Sequence, residues 1–176
     1  VIMLSNFLIS QILIAIAICV DIISFQFKAR NKILICLVVS TLLISSHFML
    51  LGHWTAALLG LISVARYLSG MFTTSNRIMW LFLIIIWVTA ISSFEGLLSI
   101  LGGVGTSFTT IAAFRNNDKR LRQLMFIGTM IWIIHNYLAG SPGAVLMETI
   151  FMVSNLVGYF RFYVKPNYKY FKKKTA

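Results

Sequence analysis

Long apolar blocks alternate with short polar breaks along the whole chain. The blocks contain about 17 to 23 residues, which is the length that a helix needs to cross the core of a bilayer. This pattern predicts an all-α integral membrane protein with seven transmembrane helices, at 3–25, 33–51, 54–72, 78–94, 97–114, 123–140 and 144–163. Glycine and proline end helices, and they mark tight turns at Gly52-His53, Glu95-Gly96 and Ser141-Pro142-Gly143.

The composition agrees with a membrane protein. Hydrophobic residues make up 59% of the 176 residues and charged residues only 11%, whereas soluble domains carry about 25% charged residues. Cys19 and Cys36 fall inside predicted helices without metal-ligand spacing, so we expect neither a disulfide framework nor a metal site. The sequence shows no cofactor motif and no nucleophile with a paired base, and we therefore do not expect an enzyme.

The basic residues predict which side of the membrane each connection occupies. The net charge is +11, from 15 Lys and Arg against 4 acidic residues. Fourteen of the cations fall in the first, third and fifth connections, at the end of helix 7 and in the tail 164–176, and they are Lys28, Arg30, Lys32, Arg77, Arg115, Lys119, Arg120, Arg122, Arg161, Lys165, Lys169, Lys172, Lys173 and Lys174. Because cationic loops stay in the cytoplasm, we expect the N-terminus outside and a basic cytoplasmic tail. The expected partner is the lipid bilayer rather than nucleic acid, and a homo-oligomer is left open.

An internal repeat with an offset of 88 residues relates two parts of the chain. Nine identities occur in the 26 positions from 47 to 72, without a gap. The rarer residues among them are the pairs His47 and His135, Gly52 and Gly140, and Gly70 and Gly158. Both copies run in the same direction through the membrane. The sequence therefore predicts one transmembrane domain, 1–176, with parallel three-helix bundles at 3–72 and 97–163 and a linker helix at 78–94.

Two segments carry a resemblance to a known family. The run W-I-I-H-N-Y-L-A-G-S-P-G at 132–143, followed by Glu148, Asn155 and Arg161-Phe162, resembles the bacterial inner-membrane YgjV family. The run H-F-M-L-L-G at 47–52, with Ala65-Arg66, resembles the first-half counterpart in that family. The resemblance covers most of the chain, from helix 2 to the end of helix 7, and it implies a multi-pass protein of the bacterial inner membrane.

The YgjV family is similar in organisation to the SWEET, PQ-loop and KDEL-receptor group. This similarity implies a 3+1+3 helix arrangement and a small-molecule transporter or, as in the KDEL receptor, a ligand-binding receptor without transport. The chain departs from the wider group because it lacks the prolines that act as hinges in helices 1 and 5. Helix 5 instead contains Gly102, Gly103 and Gly105, which could form a hinge or permit close packing.

Four ionisable side chains are expected at membrane depth, where a buried charge is costly and therefore usually functional: Arg66, Glu148, His47 and His135. Arg66 follows the start of the third helix by about twelve residues, which at about 1.5 Å per residue places it near mid-membrane. We expect Arg66 to bind the negative group of a small anionic or zwitterionic metabolite in a central cavity between the two bundles. Toward the outside, we expect Glu148 and the two histidines to form a proton-linked gate. Asp21, near the inner end of helix 1, is expected to pair with Lys28 or Arg30.

The predicted substrate site also includes Tyr67, Asn155, Trp132 and Asn136. Tyr67 and Asn155 would add hydrogen bonds beside Arg66, and Trp132 would provide a stacking surface. A structural alternative stays open for each residue. Arg66 and Glu148 could form a structural ion pair, whereas Asn136 and the histidines could fasten neighbouring helices through hydrogen bonds.

Overall fold

The computed structural model describes residues 2–50, 54–92, 94, 96–138 and 142–166, and in this part of the chain it contains helices and no strand. The α-helices are α1 (Ile2–Ser24), α2 (Arg30–Leu50), α3 (Trp54–Phe72), α4 (Asn76–Ser92), α5 (Leu97–Ala113), α6 (Asp118–Leu138) and α7 (Pro142–Tyr159). A short π-helix, Phe160–Val164, continues α7. The prediction of an all-helical chain with seven helices is therefore confirmed within the described residues. Some predicted features lie outside those residues, namely Gly52-His53, Glu95, Gly140, Ser141 and most of the basic tail.

The largest differences from the predicted helix starts are at α2, which begins three residues earlier at Arg30, and at α6, which begins five residues earlier at Asp118. The earlier start of α6 has a local cause, because the Asn117 side chain accepts a hydrogen bond from the Lys119 backbone N–H at 2.8 Å and so caps the first turn. Asp118 adds a carboxylate at the positive end of the helix dipole. The assignment of Arg122 to a connection was therefore wrong, since Arg122 lies inside α6.

The helices form two groups of three, in which each helix packs on the next along the chain. The first group is α1, α2 and α3, and the second is α5, α6 and α7, with α4 packed against α5. The two groups meet where α1 contacts α7 and where α3 contacts α5. The ends of α1, α3, α5 and α7 lie beside the starts of α2, α4 and α6. We call this end of the molecule the basic end, because the cations of the first, third and fifth connections lie there.

Much of the outer surface is apolar. Among the described side chains, each of the seven helices carries exposed large hydrophobic residues. Examples are Ile12, Ile35, Trp80, Ile127 and Leu156. The helical segments Phe7–Ser24 and Val145–Val164 are long and apolar enough to cross a membrane, and Asn76–Ser92 and Leu97–Ala113 are shorter apolar helices. Spanning of the membrane by the other five helices stays a prediction.

Arg30 joins the two groups at the basic end. It is the first residue of α2, and its Nη2 donates to the main-chain carbonyls of Gly70, near the end of α3, and of Ala113, at the end of α5. The last carbonyls of a helix have no partner within the helix, and a guanidinium supplies several donors to them. Gly70 permits the close approach, because a Cβ at this position would lie 2.7 Å from the Ala113 carbonyl oxygen.

Arg122 makes a similar junction between α6 and the end of α1. Its Nη1 donates to the Phe25 carbonyl at 2.7 Å, and its Nη2 donates to the Phe27 carbonyl. Gly158 of α7 packs against the same atoms, and a Cβ there would overlap the Phe25 carbonyl oxygen and the Arg122 guanidinium. The side chain of Arg122 is almost fully buried. Arg122 therefore has a structural role at this junction.

Candidate functional site

Arg66 lies on α3 at the contact with α5, and only 4% of it is exposed. Its Nη1 donates to Thr110 Oγ1 at 2.8 Å and to the Thr106 carbonyl at 3.2 Å. Its Cζ lies 4.6 Å from the centre of the Tyr67 ring, and its Nε is buried without a hydrogen-bond partner. Within the described residues no carboxylate pairs with Arg66. The positive charge is therefore held by neutral groups.

Two carboxylates from other helices lie near Tyr67. Asp21 of α1 is buried and Glu148 of α7 is half-buried. Both are within electrostatic range of the buried Tyr67 hydroxyl, which also interacts with Arg66. Asp21 and Glu148 are in turn within electrostatic range of each other. We call Arg66, Tyr67, Asp21 and Glu148 the axial cluster, because they come from α1, α3 and α7, where the two groups meet.

The prediction of an ion pair between Asp21 and a lysine or arginine of the first connection was wrong. The ion pair that the described residues do form joins Arg122 to Asp118, with 3.7 Å between Nε and Oδ2. The Ser40 hydroxyl of α2 donates to the Ala17 carbonyl of α1 at 3.5 Å and lies close enough to the Asp21 carboxylate to interact with it. The sequence did contain the signal for this site, since Asp21 is an ionisable residue inside an apolar block. A partner in the first connection was expected because Asp21 lies close to the inner end of that block.

His47 and His135 each make their described contacts within their own group of helices. His47 is buried, and its Nδ1 donates to the Ser10 carbonyl of α1 at 2.9 Å. His135 Nδ1 lies 3.0 Å from Oδ1 of the adjacent Asn136, and its ring packs edge-on against Trp132 at 4.8 Å between centroids. These contacts favour a fastening role for His47. The proton-linked cluster of both histidines with Glu148 stays a prediction.

The glycines of α5 let two tryptophan rings pack against the helix backbone. A Cβ at Gly105 would lie 3.0 Å from Cδ1 of Trp132 on α6, and one at Gly102 would lie 3.6 Å from the same ring. Gly103 faces α4, where a Cβ would lie 3.3 Å from the Trp87 ring. This arrangement favours close packing for the glycines. It also places Trp132 against α5 as a packing residue, and the hinge and stacking roles stay predictions.

Asn155 makes its hydrogen bond to α6 and not to Arg66. Its Nδ2 donates to the Arg122 carbonyl at 2.8 Å, and its Oδ1 is buried without a partner. Asn155 also lines a cavity of about 880 Å³ that is bounded by α5, α6 and α7. A second cavity, of about 510 Å³, lies at the basic end beside Arg30. Neither of these two cavities is lined by a residue of the axial cluster.

Comparison with known proteins gives a consistent result. The model of a family described as bacterial inner membrane protein, Imp-YgjV, matches residues 8–166. The inner membrane protein YgjV of Escherichia coli (strain K12) is 28% identical over 148 residues, which are 84% of this chain and 81% of that protein. No solved structure matches the chain. The predicted likeness to the SWEET, PQ-loop and KDEL-receptor group stays a prediction.

Proposed function

Because the chain belongs to the Imp-YgjV family of bacterial inner membrane proteins, we propose that it carries a small polar metabolite across that membrane. The proposed substrate is anionic or zwitterionic, and the protein acts as a transporter or facilitator rather than as an enzyme. Both the predicted family and the predicted inner-membrane location are confirmed by the match and by the relative.

The proposal rests on one observation: Arg66 is a buried cation, and no carboxylate of the described residues pairs with it. A cation inside a membrane protein is costly unless it is paired or hydrated. Arg66 is buried, its hydrogen bonds go to a threonine hydroxyl and a carbonyl, and its Nε has no partner. A substrate carboxylate or phosphate would supply the missing negative charge, and a guanidinium binds either group through two parallel hydrogen bonds.

The other residues of the axial cluster support a solute that carries both charges. Asp21 and Glu148 place two acidic groups within electrostatic range of Tyr67, which stacks against Arg66. A zwitterionic substrate would place its negative group on Arg66 and its positive group toward the carboxylates. The same carboxylates could exchange protons with the outside, so that solute movement would be proton-linked.

The contacts between the two groups support a carrier built from two equivalent halves. Gly70 packs against the Ala113 carbonyl, and Gly158 packs against the Phe25 carbonyl. Gly70 and Gly158 are 88 residues apart, and so are Phe25 and Ala113. Since the offset of the proposed repeat relates both partners in both contacts, we infer that two parallel halves meet around an axis through the membrane, as in carriers whose halves rock against each other.

A ligand screen followed by a flux assay tests the proposal. The purified full chain is first screened for thermal stabilisation by small carboxylates, phosphate esters and amino acids. The best ligand is then measured for uptake and counterflow in proteoliposomes. We expect Arg66→Gln to lose both stabilisation and uptake, whereas Arg77→Gln, which removes an exposed cation from α4, should keep them. Equal ligand binding by Arg66→Gln and the wild-type chain would refute the assignment of Arg66, and binding without flux would indicate a receptor.

A structural role for Arg66 is the second candidate, and its bonds to Thr106 and Thr110 favour it. These bonds join α3 to α5, and hydrogen bonds between helices hold membrane proteins together. In this case the double variant Arg66→Met with Thr110→Val would fold normally and leave the cellular role of the protein unchanged. Loss of ligand binding by a folded Arg66→Gln chain would exclude a purely structural role.

A further inference from the structure

The larger cavity has an apolar part and a basic mouth. Its lining comes from α5, α6, α7 and the residues between α5 and α6, and consists of Ile111, Arg115, Arg120, Arg122, Gln123, Leu124, Phe126, Ile127, Asn155, Leu156 and Tyr159. Ile127 and Leu156 belong to the exposed apolar surface, with 40% and 45% of each residue exposed. The cavity is therefore a groove that opens on the side of the molecule which faces the bilayer, and not an internal chamber between the two groups.

The two cations at the mouth of the groove are not used by the fold. In the described part of the chain, the guanidinium groups of Arg115 and Arg120 take part in no hydrogen bond, ion pair or aromatic contact. Their neighbours differ, because Arg122 bonds the end of α1 and Lys119 lies 5.6 Å from the Tyr163 ring. Arg115 and Arg120 therefore place two positive charges, without internal partners, at one point of the basic end.

The polar and apolar parts of the groove are at different depths. Arg120 lies in the first turn of α6 and Ile127 follows two turns later, about 10 Å further along the helix axis at 1.5 Å per residue. Between these levels, Gln123 Nε2 donates to the Tyr159 hydroxyl at 3.3 Å, and Asn155 presents a buried Oδ1 that lacks a partner. A lipid has the same sequence of charge, polar linkage and apolar chain over a comparable length.

We propose that this groove is a binding site for an anionic phospholipid of the leaflet at the basic end. The lipid phosphate lies between Arg115 and Arg120, and an acyl chain lies along the apolar wall formed by Ile111, Ile127 and Leu156. Basic pockets between membrane helices bind anionic lipid headgroups in this manner. A headgroup with free hydroxyls, such as that of phosphatidylglycerol, can also donate a hydrogen bond toward Asn155. The site is separate from the axial cluster and does not depend on the proposed transport function.

A titration of the purified full chain with phosphatidylglycerol, read by native mass spectrometry, tests the site. Phosphatidylcholine serves as the lipid without net charge. Each cation close to an anionic headgroup contributes roughly a five-fold factor in affinity, so the double variant Arg115→Gln with Arg120→Gln should weaken phosphatidylglycerol binding about 30-fold. Binding of phosphatidylcholine should not change. Because neither guanidinium has a described partner, the variant should keep the melting temperature of the lipid-free wild-type protein.

The matched control removes two cations from the same end of the molecule but outside the groove. Lys28→Gln with Arg77→Gln changes the net charge by the same amount, and both side chains are exposed. This control should keep the phosphatidylglycerol affinity close to that of the wild-type chain. If both double variants weaken binding equally, the attraction is a diffuse effect of net charge and the proposed site is refuted.

A second variant distinguishes a lipid from a small anion. Ile127→Trp fills the apolar part of the groove without touching the cations, and it should weaken phosphatidylglycerol binding at least as strongly as it weakens phosphatidylcholine binding. Glycerol phosphate, which has the phosphate but no acyl chain, should not compete with the lipid. If glycerol phosphate displaces the lipid and Ile127→Trp has no effect, the groove is an anion site and the lipid proposal is wrong.

Discussion

The guanidinium of Arg122 donates a 2.7 Å hydrogen bond to the main-chain carbonyl of Phe25, 97 residues away in the sequence. Phe25 follows the last residue of α1, and Arg122 lies in the second turn of α6. The bond therefore ties the first group of helices to the second at the basic end. It also satisfies a carbonyl at a helix end that lacks a partner within the helix. Gly158 leaves the space in which the two residues meet.

Loss of this junction should destabilise the fold. Arg122→Met removes two charge-assisted hydrogen bonds to carbonyls, and we expect the free energy of unfolding to fall by about 2 kcal/mol. Arg120→Gln, which alters a neighbouring cation without described partners, should have no measurable effect. Thermal unfolding of both variants in the same detergent compares them, and similar melting temperatures would show that the Arg122 contacts contribute little.

The glycines at the junctions between the groups should not tolerate a methyl group. Gly158→Ala would push a Cβ into the Phe25 carbonyl, and Gly70→Ala would bring one to 2.7 Å from the Ala113 carbonyl oxygen. Backbone atoms cannot move away as a flexible side chain can, so each variant should lose about 1 to 3 kcal/mol of stability. Gly102→Ala is the matched control, since its Cβ would meet its nearest neighbour at an ordinary 3.6 Å. If chemical unfolding shows that Gly102→Ala loses as much stability as the other two variants, this prediction is wrong.

His47 should contribute to stability more than His135 does. His47 is buried and bonds the Ser10 carbonyl of another helix, whereas His135 is half-buried and bonds the adjacent Asn136. We expect His47→Ala to lower the free energy of unfolding by about 1 kcal/mol and His135→Ala to lower it less. His47→Gln should recover part of the loss, because its amide can still donate. If His135→Ala lowers the melting temperature more than His47→Ala does, the hydrogen bond of His47 does not contribute to stability as proposed.

The carboxylates of the axial cluster should link transport to protons. If Asp21 and Glu148 take up and release protons during the cycle, an inward proton gradient should accelerate uptake by the wild-type chain. Asp21→Asn and Glu148→Gln each remove one titrating group and should abolish this acceleration, while ligand binding in thermal-shift measurements is kept. Counterflow at equal pH on both sides provides the control for folding. Uptake by the wild-type chain that does not respond to an inward proton gradient would contradict proton linkage through the two carboxylates.

Particular residues show how far the sequence could predict the site. The charge of Arg66 inside an apolar block singled it out, and the structure places it, buried, between two helices. The partners of Arg66 on α5 were not predicted, because threonines in an apolar helix give no signal of the helix that they will face. Asn155 was expected to form hydrogen bonds beside Arg66, yet its bond goes to α6. Side-chain direction depends on the neighbouring helix as well as on sequence spacing.

The sequence by itself determined the all-helical fold, because blocks of apolar residues with helix-ending residues between them leave few other ways to satisfy backbone hydrogen bonds. It also determined the family, through a match that covers residues 8–166. Only the tertiary structure decided which polar groups meet. Arg30 and Arg122 looked like loop charges, and their use in joining distant helix ends follows from contacts between residues 40 to 97 positions apart. Local periodicity does not encode such pairings, because they depend on how whole helices pack.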